Sequence, residues 1–109
     1  LGADLVKQYA GRIINIHPSL LPSFPGLHAQ KQALEYGAKV SGCTVHFVEE
    51  GVDTGPIIIQ SAVTIRENEM EETLAARILE QEHRIYPEAI QYFAEGRILI
   101  EGHQVSIRE

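Results

Sequence analysis

The pattern of apolar and polar positions predicts several short strands separated by loops. Residues 12–16 form a β-branched apolar run that ends before Pro18, which is typical of a buried strand. Residues 44–48 alternate with a two-residue period, and residues 57–65 resume a strand pattern after an acidic loop with two glycines. These two strands should bracket the loop as a wide hairpin, and residues 98–107 predict a second hairpin near the end of the chain.

Helix-like spacing of apolar residues occurs in three segments. Residues 3–9 and 28–37 each end at or near a glycine, as helices often do. Residues 71–94 carry the longest helical pattern, with Leu74, Ile78 and Ile85 on one side. Pro87 lies inside this segment and is expected to bend or restart the helix. The pattern predicts an α/β chain, and because no linker or repeat divides it, it should form one domain.

Composition and charge indicate a chain that folds, and they argue against several functional classes. The 109 residues are 44% hydrophobic and 22% charged, as expected for a chain that folds. A net charge of -6 argues against nonspecific attraction to nucleic acid or to anionic membranes. No apolar run approaches the roughly 20 residues of a membrane-spanning helix. The single cysteine, Cys43, cannot form an internal disulfide, which fits a reducing, cytoplasmic compartment. The first residues lack Met and a leader pattern, so we expect the chain to begin inside a domain.

Asn15 and His17 are the first candidates for chemistry. Residues two apart on a strand point to the same face, and His17 lies where the strand ends, a common place for ligand sites in open α/β sheets. An amide can donate to a developing oxyanion while an imidazole moves protons, and acyl transfer to an amine needs both functions. Alternatively, Asn15 caps the backbone of the proline-rich turn and His17 is a structural histidine.

Asp53 lies in the glycine-flanked loop between the two central strands. Its carboxylate could approach an imidazole and stabilise the charged form, although aspartate is also an ordinary turn residue. The chain has five histidines, but their spacing and the lack of a second cysteine argue against a metal site. Residues 80–83 could recognise an amide or a ribose, or they could form a solvated helix face.

Three segments, in this order, resemble the phosphoribosylglycinamide formyltransferase family. They are residues 15–22 (NIHPSLLP), 24–28 (FPGLH) and 51–58 (GVDTGPII). The similarity extends through residues 81–87 and becomes vague at the terminal hairpin. It implies the C-terminal half of an open twisted sheet with mixed parallel and antiparallel strands, flanking helices and a long C-terminal helix. We expect the N-terminal half, which would hold the substrate phosphate, to be absent from this chain.

The resemblance also implies a reaction and the residues that perform it. 10-Formyltetrahydrofolate would donate its formyl group, without a metal, to the amine of glycinamide ribonucleotide in purine biosynthesis. His17 would transfer the proton, Asn15 would hold the oxyanion, and Asp53 would favour the protonated form of His17. Further implied positions are the folate-lining residues Asn15, Glu49, Glu50, Gly51, Val52 and Asp53, the ribonucleotide contacts Leu79, Glu80, Gln81 and Glu82, and the near-site histidines His28 and His46.

Related families leave alternatives for the acceptor. Methionyl-tRNA formyltransferase and formyltetrahydrofolate deformylase have a similar Asn-x-His and Asp-x-Gly pair, but Pro18 and residues 25–28 resemble the glycinamide ribonucleotide enzymes. The chain is therefore expected to be a catalytic part that needs its missing half, or a fragment that binds folate without transfer. The first strand would expose an unpaired apolar edge, which predicts dimerisation or aggregation of the isolated chain.

Overall fold

Two helices and five strands make up the part of the chain that the computed structural model describes, residues 13–51 and 53–109. In chain order they are β1 (Ile14–His17), α1 (Ala29–Tyr36), β2 (Val40–Phe47), β3 (Ile57–Thr64), α2 (Glu71–Ala94), β4 (Ile98–Glu101) and β5 (Gln104–Ile107). The helix predicted over residues 3–9 lies outside the described residues. The other predicted elements are present, and the α/β class is confirmed.

A three-stranded sheet in the order β1, β2, β3 lies at the centre of the described structure. Both pairings are antiparallel: Asn15 faces His46 and His17 faces Thr44 between β1 and β2, and residues 40–46 of β2 pair with β3. Parallel pairs, expected for part of a mixed sheet, are absent from the described strands. β4 and β5 form a separate antiparallel hairpin, as predicted.

β2 begins earlier than its alternation pattern indicates. The pattern predicted residues 44–48, whereas the strand starts at Val40 because Ser41, Gly42 and Cys43 complete the ladder with β3. Glycine is a poor strand former, but a side chain at Gly42 would overlap the Ser61 carbonyl oxygen. The close approach of the two strands therefore requires glycine, and tertiary pairing overrides local propensity.

The hydrophobic core lies between one face of the sheet and α2. Leu74, Ile78 and Ile85 follow one stripe of the helix and are fully buried against apolar side chains of β2 and β3. Each such side chain stabilises the fold by about 1.5–3 kcal/mol by leaving water. Cross-strand partners share a face, so the opposite face of the sheet carries four polar side chains: Asn15, His17, Thr44 and His46.

α2 runs without interruption from Glu71 to Ala94, although it contains Pro87. The expected restart at this proline does not occur. Pro87 is exposed, so the carbonyl group one turn earlier, which loses its amide partner, can face water. The hairpin of β4 and β5 follows, so the long helix is not the C-terminal element that we expected. Within the described residues, no helix is both long and apolar enough to cross a membrane.

Candidate active site

β1 brings Asn15 and His17 to the polar face of the sheet. They share this face, as their two-residue spacing predicts, but they differ in exposure. Asn15 is exposed, and its Oδ1 accepts a hydrogen bond from the Ile16 amide at 2.9 Å. His17 is buried, with 5% of its surface exposed. Asn15 is therefore accessible from solvent, whereas His17 is held inside the protein.

The carboxylate of Asp53 lies between two imidazoles. Asp53 Oδ2 is 3.3 Å from His17 Nδ1, and Oδ1 is 3.6 Å from His46 Nε2. Oδ2 also accepts a hydrogen bond from the Gly26 amide at 2.8 Å. The Asp53 side chain is 15% exposed, so little water screens its charge from the two rings. Both imidazoles therefore lie next to a carboxylate in a largely dry environment.

Both nitrogens of the His17 ring have polar partners. Nε2 lies 2.9 Å from the Phe24 carbonyl oxygen, while Nδ1 faces Asp53. Both partners are acceptors, and a neutral imidazole has only one N–H group. In this conformation, both ring nitrogens of His17 therefore face an acceptor, and one of these acceptors is a carboxylate.

His46, on β2, forms a cluster with Asp53 and His17, whereas His28 lies outside this cluster. His46 Nδ1 lies 3.0 Å from the Phe47 carbonyl oxygen, and its buried Nε2 has no hydrogen-bond partner in the described part of the chain. His28 is exposed and precedes α1 in a left-handed conformation with φ 60. Of the two histidines expected near the site, the structure brings only His46 to Asp53.

A buried threonine fastens the loop that follows His17. Thr44 Oγ1 donates to the Ser19 carbonyl oxygen at 2.7 Å and accepts a hydrogen bond from the Leu21 amide at 3.1 Å. Thr44 and Ser19 are both fully buried, so these bonds are shielded from water. β2 thereby fixes the start of the proline-rich loop, and that loop carries the backbone groups that contact His17 and Asp53.

Sequence reasoning missed Phe24 and Gly26 as site residues because they act through backbone atoms. The Phe24 carbonyl contacts His17, and the Gly26 amide contacts Asp53. Phe24 has φ 50 and Asp53 has φ 52, a left-handed conformation that is unfavourable for residues with a side chain. A side-chain pattern cannot reveal such contacts, and the Phe-Pro-Gly motif was the one signal that pointed to this segment.

Of the residues expected to line the folate pocket, Asn15 lies on β1 and the others belong to the loop that follows β2. Glu49, Glu50 and Gly51 are exposed, and Asp53 is partly buried at the end of this segment. Val52 lies outside the described residues. The loop therefore offers polar groups to solvent directly next to the Asp53 carboxylate.

The four residues expected to contact the ribonucleotide divide between two cavities. Leu79 and Glu82 line a cavity of about 340 Å³ together with Ile16 of β1. Glu80 and Gln81 line a different cavity of about 450 Å³. The helix directs these side chains to different sides, so the structure brings Leu79 and Glu82, rather than the full set, towards β1.

Glu82 is the member of this set that interacts with the cluster. Burial raises the pKa of its carboxyl group, and the imidazoles of His83 and His17 partly oppose that effect. Gln81 instead accepts a hydrogen bond from the Ser61 hydroxyl at 3.0 Å, which attaches α2 to β3. No group of three His, Cys, Asp or Glu side chains in residues 13–51 and 53–109 is arranged to hold a metal ion.

Comparisons with known proteins place the chain in a family. A family model described as formyl transferase matches residues 1–90, which is most of the chain. The chain belongs to the formyl transferase family. The match includes Asn15, His17 and Asp53, and it ends before the hairpin of β4 and β5.

Individual relatives of this formyl transferase chain carry more specific names. It is 56% identical over 100 residues to the trifunctional purine biosynthetic protein adenosine-3 of Drosophila melanogaster, covering 92% of this chain and 7% of that protein. It is 49% identical over 98 residues to the phosphoribosylglycinamide formyltransferase of Escherichia coli (strain K12), covering 90% and 46%. The crystal structure of glycinamide ribonucleotide transformylase 1 from Symbiobacterium toebii matches with a TM-score of 0.94 and 62% identity, covering 96% and 50%.

The formyl transferase chain thus spans about half the length of the single-function relatives that it matches, and far less of the trifunctional one. The fold of the matched crystal structure agrees with the α/β architecture and the antiparallel strands of this chain. None of these similarities confirms the C-terminal placement of the chain that we expected from its sequence.

Proposed function

We propose that this chain forms the catalytic part of a cytoplasmic enzyme that moves a formyl group from 10-formyltetrahydrofolate to the amine of glycinamide ribonucleotide in purine biosynthesis. The observation that carries the proposal is the partly buried Asp53 carboxylate, 3.3 Å from His17 and 3.6 Å from His46. This arrangement suits an imidazole that gives and takes a proton near neutral pH. Sequence identities of 49% and 62% to proteins named for this reaction support the choice of acceptor.

His17, Asn15 and Asp53 have separate roles in the proposed reaction. The amine nitrogen attacks the formyl carbon and forms the new C–N bond, and the Asn15 amide stabilises the negative charge that develops on the formyl oxygen. His17 delivers a proton to the folate nitrogen as its bond to the formyl carbon breaks, and the proton lost by the amine returns to the ring. Asp53 stabilises the charged ring throughout this cycle.

The loop after His17 has to release the ring during this reaction. Nδ1 faces Asp53 and Nε2 is engaged by the Phe24 carbonyl, so neither nitrogen is free in the observed conformation. Because Asp53 is needed to stabilise the charge, Nε2 is the nitrogen that we assign to proton transfer. The contact with Phe24 must therefore open when the substrates are bound.

Substrate binding is assigned to the two sides of the cluster. We propose that residues 49–53, including Val52, line the pterin pocket largely through backbone groups. Leu79 and Glu82 are proposed to face the ribonucleotide, since they share a cavity with Ile16 next to the catalytic strand. Glu80 and Gln81 are less suited to this role because they line another cavity. The remaining contacts, including those to the substrate phosphate, are proposed to come from residues outside this chain.

Acceptor assays separate this reaction from related ones. The chain is combined with the remaining half of a glycinamide ribonucleotide transformylase and supplied with formyl-labelled 10-formyltetrahydrofolate. Glycinamide ribonucleotide, methionyl-tRNA and water alone are compared as acceptors. We expect label on glycinamide ribonucleotide alone. Label on the tRNA, or release of labelled formate, would refute the proposed acceptor and assign the chain to a tRNA formyltransferase or a deformylase.

Folate binding without transfer is the second candidate function. It is favoured by the extent of the chain, which covers 46% and 50% of two relatives. Titration calorimetry with 10-formyltetrahydrofolate measures binding independently of turnover. Binding by the chain together with no transfer in the complemented mixture would replace the enzymatic proposal by this one.

The position of β1 at the edge of the described sheet motivates a proposal about association. In the described residues β1 pairs with β2 on one side, and the strand contains the apolar Ile14 and Ile16. An unpaired apolar edge favours self-association. We propose that the isolated chain forms dimers or larger species through this edge. Sedimentation velocity over a range of concentrations tests this, and a monomer at every concentration would contradict it.

A further inference from the structure

The tip of the terminal hairpin reaches the loop that carries Asp53. Gly102 and His103 form the two-residue turn between β4 and β5, and Gly102 has the left-handed φ of 63 that such turns favour. Nε2 of His103 donates a hydrogen bond to the Thr54 carbonyl oxygen. His103, Thr54 and Asp53 also line one cavity of about 390 Å³. The hairpin thus contacts the peptide group between Thr54 and Gly55, one residue beyond Asp53.

The base of the hairpin is fixed, so its tip has a defined position. The Arg108 amide donates to the Arg97 carbonyl oxygen at 2.7 Å, and the Arg97 guanidinium donates to the Arg108 carbonyl oxygen at 2.6 Å. In a third hydrogen bond, the Arg108 guanidinium donates to the carbonyl oxygen of Gly96 at 3.0 Å. The Arg97 guanidinium also lies 4.9 Å above the Tyr92 ring of α2. These contacts attach the hairpin to the end of the helix that forms the core.

The Asp53 backbone needs such support because of its conformation. Its φ of 52 is unfavourable for a residue with a side chain, so surrounding contacts must hold it in place. The Thr54 hydroxyl donates to Glu49 at 2.7 Å, and Gly55 packs so closely on β2 that a side chain there would overlap the Phe47 carbonyl oxygen. The hydrogen bond from His103 is a further anchor, and it comes from outside the loop.

We propose that His103 is a positioning residue for formyl transfer, which holds the Asp53 carboxylate between the two imidazoles through the Thr54 carbonyl. The inference rests on the proposed function of the cluster. If the Thr54–Gly55 peptide shifts and Asp53 moves with it, the 3.3 Å distance to His17 grows and the charge stabilisation weakens. Small displacements of catalytic groups lower rates strongly. The family match ends at residue 90, so it assigns no role to this hairpin.

Amide hydrogen exchange tests the contact without an activity assay. Wild type, His103→Ala and His103→Gln are compared in the complemented enzyme, with Ser106→Ala, an exposed position of β5, as a matched control. We expect His103→Ala to raise exchange of residues 53–57 by about 3- to 10-fold, the effect of losing one hydrogen bond. His103→Gln, whose amide can still donate, and Ser106→Ala should stay near wild type. Unchanged exchange in His103→Ala would overturn the inference.

Steady-state kinetics test the positioning role itself. We expect His103→Ala to lower kcat by about 3- to 10-fold, with both KM values nearly unchanged, and His103→Gln to recover most of the loss. Two results would overturn the positioning role. One is faster amide exchange in His103→Ala together with a normal kcat, and the other is an equal loss of kcat in Ser106→Ala. If wild type shows no transfer while the exchange pattern appears as expected, the proposed function fails and the anchoring contact is supported.

Discussion

Replacing Asp53 by asparagine removes the charge between the two imidazoles while it keeps the shape of the side chain. Oδ2 accepts a hydrogen bond from the Gly26 amide at 2.8 Å, and the amide oxygen of asparagine can take over this bond. The NH2 group of the new side chain would then replace Oδ1 on the side of His46. The loop should therefore keep its conformation, and the main loss is the negative charge beside His17.

The size of the effect follows from the distance between the charges. With 3.3 Å between Asp53 Oδ2 and His17 Nδ1, two unit charges at an effective dielectric of about 20 interact by about 5 kcal/mol. His17 is buried and Asp53 is partly buried, so lost hydration offsets part of this energy, and we expect a net loss of about 2–4 kcal/mol. If that loss appears in the transition state, kcat falls by about 30- to 1000-fold.

The assay for Asp53→Asn measures turnover and folate affinity separately in the complemented enzyme. We expect the large loss in kcat, while the dissociation constant for 10-formyltetrahydrofolate changes by less than about threefold. Glu67→Gln makes the same charge change at an exposed turn and serves as the control. Equal losses in turnover and affinity would make Asp53 a folate-binding residue, and a turnover within threefold of wild type would refute the electrostatic reasoning.

Three other buried groups give expectations that do not depend on turnover. Thr44→Val leaves the Ser19 carbonyl and the Leu21 amide without their shared partner, so the free energy of unfolding in urea should fall by about 1–3 kcal/mol. Thr64→Val, at an exposed position of β3, is the control, and an equal effect of both would contradict this. Cys43 is fully buried, and burial raises the pKa of its thiol to about 11. Thiol reagents near neutral pH should therefore label Cys43 only after the chain unfolds. Fast labelling of the folded chain would show instead that the thiol is accessible. Burial raises the pKa of Glu82 above 4.5, so the folded state binds the extra proton above that pH and stability decreases as pH rises through this window. Glu82→Gln should therefore raise the free energy of unfolding at about pH 7 and change it little at about pH 4. Urea unfolding at both pH values measures this difference. A stabilisation found only in the acidic range would contradict the raised pKa of Glu82.

Local spacing is sufficient to predict most of the helices and strands. The stripe of Leu74, Ile78 and Ile85 correctly predicts α2, and the turn at Gly102 correctly predicts the terminal hairpin. The predictions are wrong where tertiary contacts or solvent exposure determine where a strand or helix begins and ends. β2 extends back to Val40 because β3 supplies its hydrogen bonds, and α2 continues through Pro87 because the broken hydrogen bond faces solvent.

The candidate site could be predicted only as far as side-chain chemistry reveals it. The spacing of Asn15 and His17 on a strand places them on one face, as the structure shows. The approach of Asp53 to His17 was an open alternative, since a turn aspartate has no distinguishing pattern in sequence. The backbone contributions of Phe24 and Gly26 depend on loop conformation, which no residue spacing encodes.

The most direct test of the account is formyl transfer from 10-formyltetrahydrofolate to glycinamide ribonucleotide. It is measured with this chain alone and with the remaining half of a relative added, using His17→Ala as the blank and Lys31→Ala, an exposed position of α1, as the control. We predict transfer after complementation, retained in Lys31→Ala and abolished in His17→Ala. Transfer that survives in His17→Ala, or no transfer in either mixture while the chain is folded, would contradict it.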